Sequence, residues 1–466
     1  MRHLNRIFLF SLPLLALLAT GCGSGAPVIG DTAQSITFNN PGTQTVGVPL
    51  TLSATATSSL TVSFTSTTPS VCTVSGTTAA FVAAGTCTID ASASGNSTYA
   101  PATQIAQSFT VNPAIGSSTT IYIAGYAIST ASSASNIVTV AEEWRLTSGS
   151  PTATATALAP PSGMPSTQAN GIAISGSDVY VVGTASNSVS RSAVYWLNNG
   201  AATTLPVPSG AIYSAANAVA VSGGNVYVTG YEENTGGSGS AVLWVNGTAT
   251  LLAPPSGMAY SAAAAIAISG SNVYVAGVAW NNNNDERAVL WVNGTATTLA
   301  SPSSTTGDYY ATAIAVSGGN VYVAGIAWDN NNNESAVSWV NNSAAATLPI
   351  PPNDLAGNCA ADGITVANGN VYIAGSGVNG TTDTTTAAYW LNGTATTLPM
   401  PSNTSYAPGG DSSAGGIAVS GSDVYSVGSV GSSDAIYWVN NGEATLLPMP
   451  SNTYESWAGA IAIATQ

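Results

Sequence analysis

Aromatic and carboxylate side chains recur together in the longer connections between the predicted strands of residues 114–466. Trp280 and Trp328 stand at equivalent places, in the segments AWNNNNDE and AWDNNNNE. The other candidates for ligand contacts in these connections are Tyr213, Tyr260, Tyr310, Trp457, Glu233, Asp285 and Asp329. Aromatic rings beside Asn and Asp suit neutral sugars, whose C–H faces stack on indole or phenol. The alternative is that these rings pack against loop prolines and only shape the surface.

A hard cation is a second ligand open to the same connections. Asp285 with Glu286, and Asp329 with Glu334, offer the oxygen ligands that Ca²⁺ prefers, although the spacing of a dedicated calcium loop is missing. Calcium is therefore kept as a possible cofactor, and no other cofactor is expected.

Catalysis is restricted by the residue types that the chain lacks. The only histidine is His3, and the sequence contains no lysine. Ser-His-Asp and Cys-His arrangements and zinc sites built on imidazole are thereby excluded from the rest of the chain. Two carboxylates suffice for glycoside hydrolysis, so a carboxylate-dependent glycosidase or lyase remains the alternative to a binding protein. No pair is marked as catalytic, and we expect binding rather than catalysis.

The charge balance bears on the choice of partners. Five arginines stand against twenty carboxylates, and the formal net charge is −15. Affinity for a nucleic-acid backbone comes mainly from Lys and Arg, so nucleic acid is not an expected partner. A glycan or another surface protein suits this composition better, and we expect a monomer.

Two markers repeat seven times through residues 114–466. A tyrosine with glycine three residues later recurs at Tyr122, Tyr180, Tyr227, Tyr274, Tyr322, Tyr372 and Tyr425. A tryptophan follows each of them, at Trp144, Trp196, Trp244, Trp291, Trp339, Trp390 and Trp438. A period of about 48 residues, with room for four strands, is typical of β-propeller blades rather than of helical solenoids. The Trp spacing is similar to that of Kelch blades.

Each repeat predicts four antiparallel strands. In one unit we expect an inner strand over 313–317, then strands over 320–325, 336–341 and 344–349. Gly318-Gly319 and dipeptides such as Asn246-Gly247 favour type I′ turns, which would join the strands in tight hairpins. All long connections, and hence the candidate residues, would then lie on the opposite side of the ring.

The phase of the repeats predicts how the ring closes. Residues 120–125 read as the second strand of a unit, whereas the chain ends on a first strand at 460–464. We therefore expect the last strand to complete the first blade, which removes a free sheet edge. The predicted fold is all-β: a seven-bladed β-propeller preceded by a small β-sandwich.

The N-terminus predicts export. Arg2 and Arg6 precede an apolar run over residues 7–19, which is too short to span a bilayer in a helix. The ending Ala19-Thr20-Gly21-Cys22 resembles a bacterial lipoprotein signal. The resemblance implies cleavage after residue 21, lipidation of Cys22 and attachment to a membrane, and Gly23 after it implies the outer membrane or cell surface. A plain secretory signal with an incidental cysteine is the alternative.

Residues 34–113 predict a separate small domain behind a tether at 22–33. Segments such as 50–56, 60–65, 79–83 and 86–91 read as short strands between turn residues. Cys72 and Cys87 lie fifteen positions apart in an exported chain, which favours a disulfide, and Cys359 is left as a buried thiol. PSVCTVSG, AAGTCTI and QSFTVNP resemble the Ig-like modules of bacterial surface proteins, which mostly act as spacers or adhesive units.

These features together resemble a bacterial surface lipoprotein with an Ig-like module and a Kelch-like propeller. We expect a surface-anchored binding, adhesion or scaffold protein that uses the long-loop side of the propeller. The carbohydrate-active enzyme is the first alternative, and a purely structural envelope protein is the second.

Overall fold

A computed structural model of the chain describes residues 32–112, 119–129, 138–147, 152–208, 211–234, 236, 239–302, 307–352, 358–379, 384–402, 410–431 and 434–465. The chain divides into two compact units, Met1–Ala114 and Ile115–Gln466. Regular structure within the described ranges is entirely β, and no helix there is long and apolar enough to cross a membrane. The predicted signal peptide and Cys22 lie outside these ranges.

The first unit contains nine short strands. They are β1 (Ile36–Thr37), β2 (Gln44–Thr45), β3 (Leu50–Thr51), β4 (Thr55–Ala56), β5 (Ser63–Ser66), β6 (Cys72–Ser75), β7 (Thr78–Phe81), β8 (Gly85–Ser92) and β9 (Ile105–Asn112). They form the sheets β2-β9-β8-β5, β3-β7-β6 and β1-β4. One apolar core, with Phe64, Phe81 and Ile89 at its centre, receives side chains from all three sheets.

The predicted disulfide between Cys72 and Cys87 is confirmed, and it joins β6 to β8 across the two larger sheets. The single strand expected over 50–56 is wrong. Its ends are separate strands, because β3 pairs with β7 while β4 pairs with β1 in another sheet.

The described part of the second unit contains twenty-eight strands. They are β10 (Thr119–Ser129), β11 (Val138–Thr147), β12 (Thr154–Ala157), β13 (Ser166–Ser175), β14 (Asp178–Ser186), β15 (Arg191–Leu197), β16 (Thr203–Thr204), β17 (Ala211–Ser222), β18 (Asn225–Asn234), β19 (Gly239–Val245), β20 (Thr248–Leu252), β21 (Tyr260–Ser269), β22 (Asn272–Trp280), β23 (Glu286–Val292), β24 (Thr295–Thr298), β25 (Tyr309–Ser317), β26 (Asn320–Trp328), β27 (Glu334–Val340), β28 (Ala346–Thr347), β29 (Cys359–Ala367), β30 (Asn370–Asn379), β31 (Thr384–Leu391), β32 (Thr394–Thr397), β33 (Ser412–Ser420), β34 (Asp423–Val430), β35 (Asp434–Val439), β36 (Thr445–Leu446) and β37 (Thr453–Thr465).

These strands pair as seven antiparallel sets of four, which we number along the chain. Set 1 has the order β37-β10-β11-β12, so the last strand of the chain lies beside the first strand of the unit. Sets 2 to 7 begin with β13, β17, β21, β25, β29 and β33 and continue with the three strands that follow each. Sets 2 and 3 are additionally joined by one parallel bridge between Arg191 and Tyr213.

The tight turns follow the dipeptides in the sequence. Asn246-Gly247, for example, has positive φ at both residues, 49° and 81°, as a type I′ turn requires. The outer strand of set 5 is shorter than the 344–349 expected, because it contains only Ala346–Thr347. Because the turn through Asn341 and Asn342 is wider, the outer strand pairs with β27 only from Ala346 onward.

The seven marker tryptophans hold neighbouring sets together. Each is at most 1% exposed. Each indole N–H donates to a backbone carbonyl of the preceding set, as Trp291 does to Ala253 at 2.8 Å and Trp144 to Pro448 at 2.9 Å. The contact from Trp144 in set 1 to set 7 joins the two ends of the unit.

The first strand of each set contacts the first strands of the sets before and after it, in the cyclic order β13, β17, β21, β25, β29, β33, β37. Each of these inner strands contains a β-bulge, an extra residue that has no partner on the second strand. The bulge residues are Asn170, Asn217, Ala264, Thr312, Asp362, Gly415 and Gly459. All seven line one central cavity of about 210 Å³.

Candidate functional site

A repeated hydrogen bond shows where the sets depart from their common pattern. Three residues before the bulge, five sets have a Ser or Thr whose hydroxyl accepts the backbone N–H of an alanine in the third strand of the preceding set. Ser261, for example, accepts from Ala241 at 3.0 Å. Sets 5 and 6 have Tyr309 and Cys359 at this position instead. The departures are therefore confined to neighbouring sets.

A polar pocket lies between sets 4 and 5, where the pattern changes. This rim pocket has a volume of about 510 Å³ and is lined by Glu286, Gly307, Asp308, Trp328, Asp329, Asn330 and Asn332. Trp328 ends β26, and Glu286 begins β23. The pocket therefore combines the ends of two strands with the residues before β25 and after β26. Trp280 and Trp328 were expected in the connections after the second strands, but they are the last residues of β22 and β26, because these strands stay paired with β21, β23, β25 and β27 beyond the marker glycine.

Asp308 fixes one wall of the rim pocket. Its carboxylate accepts the backbone N–H of Glu286 at 2.9 Å and forms an ion pair with Arg287 at 3.3 Å. The guanidinium of Arg287 also lies over the ring of Tyr309, 5.4 Å from its centroid. The backbone carbonyl of Asp308 accepts the backbone N–H of Trp328 at 2.8 Å. This bond holds the Asp308 carboxylate and the Trp328 indole in one pocket.

Asp329 is held by the asparagines that follow it. Its carboxylate accepts the backbone N–H groups of Asn331 and Asn333 at 2.7 and 2.9 Å, and the Asn333 amide at 2.8 Å. These bonds, chiefly those from Asn333, lower the pKa of Asp329. Asp329 is therefore an ionised acceptor at neutral pH.

Five of the six aromatic candidates lie beside another aromatic ring. Trp328 lies beside Tyr310, with 5.1 Å between ring centroids, and Trp280 lies beside Tyr260 at 5.8 Å in set 4. Trp457 stacks on Tyr126 at 5.0 Å in set 1. All of these rings are half-buried, so each indole retains an accessible part.

Burial raises the pKa of two carboxyl groups in this region, and a neighbouring charge adds to the effect at one of them. Burial, then the charge of Asp308, raises the pKa of Glu286. Burial also raises the pKa of Glu334. The pKa of Tyr310 is raised to about 12 by burial and by the charges of Glu334, Asp362 and Glu286, in that order. Tyr310 thus remains a neutral hydroxyl at physiological pH.

Not every candidate joins the rim pocket. Asp285 is exposed, and its carboxylate accepts the Asn281 amide at 2.7 Å outside the pocket lining. Tyr213 and Glu233 are cross-strand partners in set 3, and Glu233 occupies the repeat position of Trp280 and Trp328. Of the nine ligand candidates, the structure places Trp328 and Asp329 in the pocket and Tyr310 against it.

No group of three or more His, Cys, Asp or Glu side chains that could hold a metal ion is found among the residues that the structure describes. Of the calcium candidates, Glu286 and Asp329 line the same pocket, whereas Asp285 and Glu334 do not.

Three residues that bear on the pocket or its surroundings were not among the ligand candidates from the sequence: Asp308, Arg287 and Asp362. A signal for the first two was present in the sequence. Set 5 replaces the serine found at Ser261 with Tyr309, directly after Asp308, and Arg287 is one of only three arginines beyond residue 6. Asp362 gave no signal, because its importance depends on the bulge at that position.

No family model matches the sequence, and no curated protein matches it. Among solved structures, YjhT is 13% identical and has a TM-score of 0.35, with 62% of this chain and 99% of that one covered. An exo-1,5-alpha-L-arabinanase from a bovine ruminal metagenomic library is 10% identical, has a TM-score of 0.30, and covers 48% and 96%. Trypanosoma rangeli sialidase in complex with the inhibitor DANA is 8% identical, has a TM-score of 0.36, and covers 92% and 59%. Similarity at this level carries no argument about what this chain binds.

Proposed function

We propose that the chain is a glycan-binding protein and that the rim pocket is its binding site. The seven sets would be the blades of a seven-bladed β-propeller, with residues 34–113 as an Ig-like module. The observation that carries the proposal is the indole of Trp328 in one pocket with the carboxylates of Asp308 and Asp329 and the amides of Asn330 and Asn332. An aromatic face with acceptors and donors around it is the arrangement that binds a sugar ring.

The charge of the pocket selects the class of glycan. Asp308 and Asp329 contribute negative charge, and Arg287 is already paired with Asp308. A carboxylate or sulfate on the ligand would meet like charges without a free cation to balance them. We therefore propose neutral oligosaccharides as ligands, and acidic glycans as non-ligands.

Removal of the Trp328 ring should weaken binding at least tenfold, because stacking on the indole supplies a large part of the contact area. The test measures Trp328→Ala and wild type on an array of neutral and acidic glycans, followed by titration calorimetry with the best neutral ligand. Trp457→Ala is the matched control, since that half-buried indole lies in set 1, away from the pocket. Equal losses in both variants, or binding only to acidic glycans, would contradict the proposal.

A glycosidase is the second candidate, and one observation favours it. Glu286, whose raised pKa suits a general acid, shares the rim pocket with a second carboxyl group, that of Asp308. The same array, read for released sugar, separates the two functions. Turnover that disappears in both Glu286→Gln and Asp308→Asn would replace the binding proposal with the enzymatic one.

We also propose that the chain is exported and anchored to a bacterial membrane through a lipid on Cys22. In a bacterial host, labelled palmitate should enter wild type and be lost from Cys22→Ser, because the acyl chains attach at that sulfur. Secretion of both proteins into the same compartment is the control. Equal labelling of both would show that no lipid is attached at this residue.

A further inference from the structure

Three of the seven bulge residues of the inner strands link neighbouring sets by one recurring hydrogen bond. Asn170 donates to the carbonyl oxygen of Ala216 at 2.9 Å, and Asn217 donates to that of Ala263 at 2.8 Å. The hydroxyl of Thr312 does the same to Ala361 at 2.6 Å. In each case the acceptor directly precedes the bulge residue of the next set. A single rule thus relates the donor in one set to its acceptor in the next.

Asp362 occupies the bulge position of set 6. By the same rule its acceptor is the carbonyl of Ala414, which precedes the bulge residue Gly415 in set 7. Aspartate and asparagine side chains have the same shape, so the carboxyl group can reach the place that the amide of Asn217 reaches. An ionised carboxylate, however, accepts hydrogen bonds only and cannot donate to a carbonyl.

We propose that Asp362 is protonated in the folded chain and donates its proton to the carbonyl oxygen of Ala414, which makes the bond between sets 6 and 7 dependent on pH. The link would be complete in acid. Ionisation would leave two acceptors facing each other at this one contact between sets, while the links from Asn170, Asn217 and Thr312 stay unchanged.

The surroundings of Asp362 favour its neutral form. The strands packed against β29 are β25, β26, β27, β30 and β33. Their titratable side chains are Tyr309 and Tyr310 on β25, Tyr322 on β26, Glu334 on β27 and Tyr372 on β30, whereas β33 has none. β29 itself also contains Cys359. No cationic side chain is present on any of these strands. Burial, then the negative charge of Glu334, raises the pKa of Asp362 to about 7.

The sign of the pH effect follows from that direction. The folded chain holds the proton more tightly than the unfolded chain, so the contribution of Asp362 to stability is greatest when both states are protonated. It falls as the pH rises from the ordinary aspartate range, near 4, to about 7, and is constant above that.

The chain itself provides the matched pair of variants. Asp362→Asn should donate at every pH, as Asn217 does, and should raise Tm by about 2–4 °C at pH 8 but by less than about 1 °C at pH 5. Asn217→Asp should show the reverse, with Tm lowered more at pH 8 than at pH 5. Tryptophan fluorescence follows the transition, since all ten tryptophans lie between residues 144 and 457.

A direct measurement keeps the proposal testable if either variant fails to fold. The ¹³C resonance of the Asp362 carboxyl group, assigned by its loss in Asp362→Asn, should titrate in the folded wild type with a midpoint near 7. A midpoint near 4, or a Tm shift of Asp362→Asn that is equal at pH 5 and pH 8, would overturn the proposal. Neither result would affect glycan binding by Trp328, which is measured separately.

Discussion

Replacement of Glu142 by valine should stabilise the second unit by about 3 kcal/mol at pH 7 and by about 5 kcal/mol at pH 9. Glu142 lies on β11 with an exposure of 0%, and neither carboxyl oxygen has a hydrogen-bond partner within the described part of the chain. The equivalent positions in sets 2 to 5 are the fully buried valines Val194, Val242, Val289 and Val337. An apolar interface between sets thus contains one carboxyl group.

The magnitude comes from the cost of ionising Glu142 inside the fold. Burial alone raises its pKa to about 8, against an ordinary value of 4.5. The folded state therefore holds the proton over a range in which the unfolded chain releases it. Stability should fall as the pH rises from about 4.5 to about 8 and then level off. Urea denaturation of wild type across this range, followed by tryptophan fluorescence, measures the slope.

Glu142→Gln separates the effect of the charge on stability from the effect of a buried polar group without partners. Glutamine cannot ionise, so the pH dependence should be reduced as much as in Glu142→Val, but its buried amide still lacks partners and the gain at pH 5 should be smaller. A wild-type stability that is flat from pH 5 to pH 9, or a loss of stability in Glu142→Val, would show that the carboxyl group has a partner in solution.

Glu142 also illustrates what the repeat could and could not predict. Alignment of the seven markers predicted the strands, the turns at Asn246-Gly247 and the position of β37 beside β10, because turn chemistry and strand periodicity are local properties. The same alignment would show glutamate where other repeats have valine. It could not show whether that glutamate finds a partner, because the partner would come from set 7, about 300 residues away in sequence.

The candidate site was predictable to a similar extent. Trp328 and Asp329 were identifiable because they follow the strand predicted over 320–325, where a long connection was expected. Their grouping with Glu286 and Asp308 was not predictable, since it depends on how sets 4 and 5 pack against each other. Trp280 has the same local sequence but packs near Gly239 of set 3, which holds the repeat position of Glu286 in set 4, so the residue type in the preceding set changes the surroundings.

Gly230→Ala should destabilise the second unit by about 3 kcal/mol or more, the upper range for overpacking. Gly230 lies three residues after the marker Tyr227, opposite the bulge of β17. An added Cβ would lie 2.9 Å from the carbonyl carbon of Ala215 and closer still to its oxygen. The bulge turns that carbonyl toward the second strand, and the six equivalent glycines meet the corresponding carbonyls in the other sets: Gly125, Gly183, Gly277, Gly325, Gly375 and Gly428.

Gly459→Ala is the matched control for this steric argument. Gly459 is a bulge residue of the same ring, yet an added Cβ there would meet no heavy atom within 4 Å. Alanine at that place should change stability by less than about 1 kcal/mol, because it meets no neighbour and restricts only the unfolded chain. Urea midpoints of both variants, read by tryptophan fluorescence, decide the matter. Equal effects would mean that glycine is needed at the marker position for its backbone conformation, and not because two strands approach closely at the bulge.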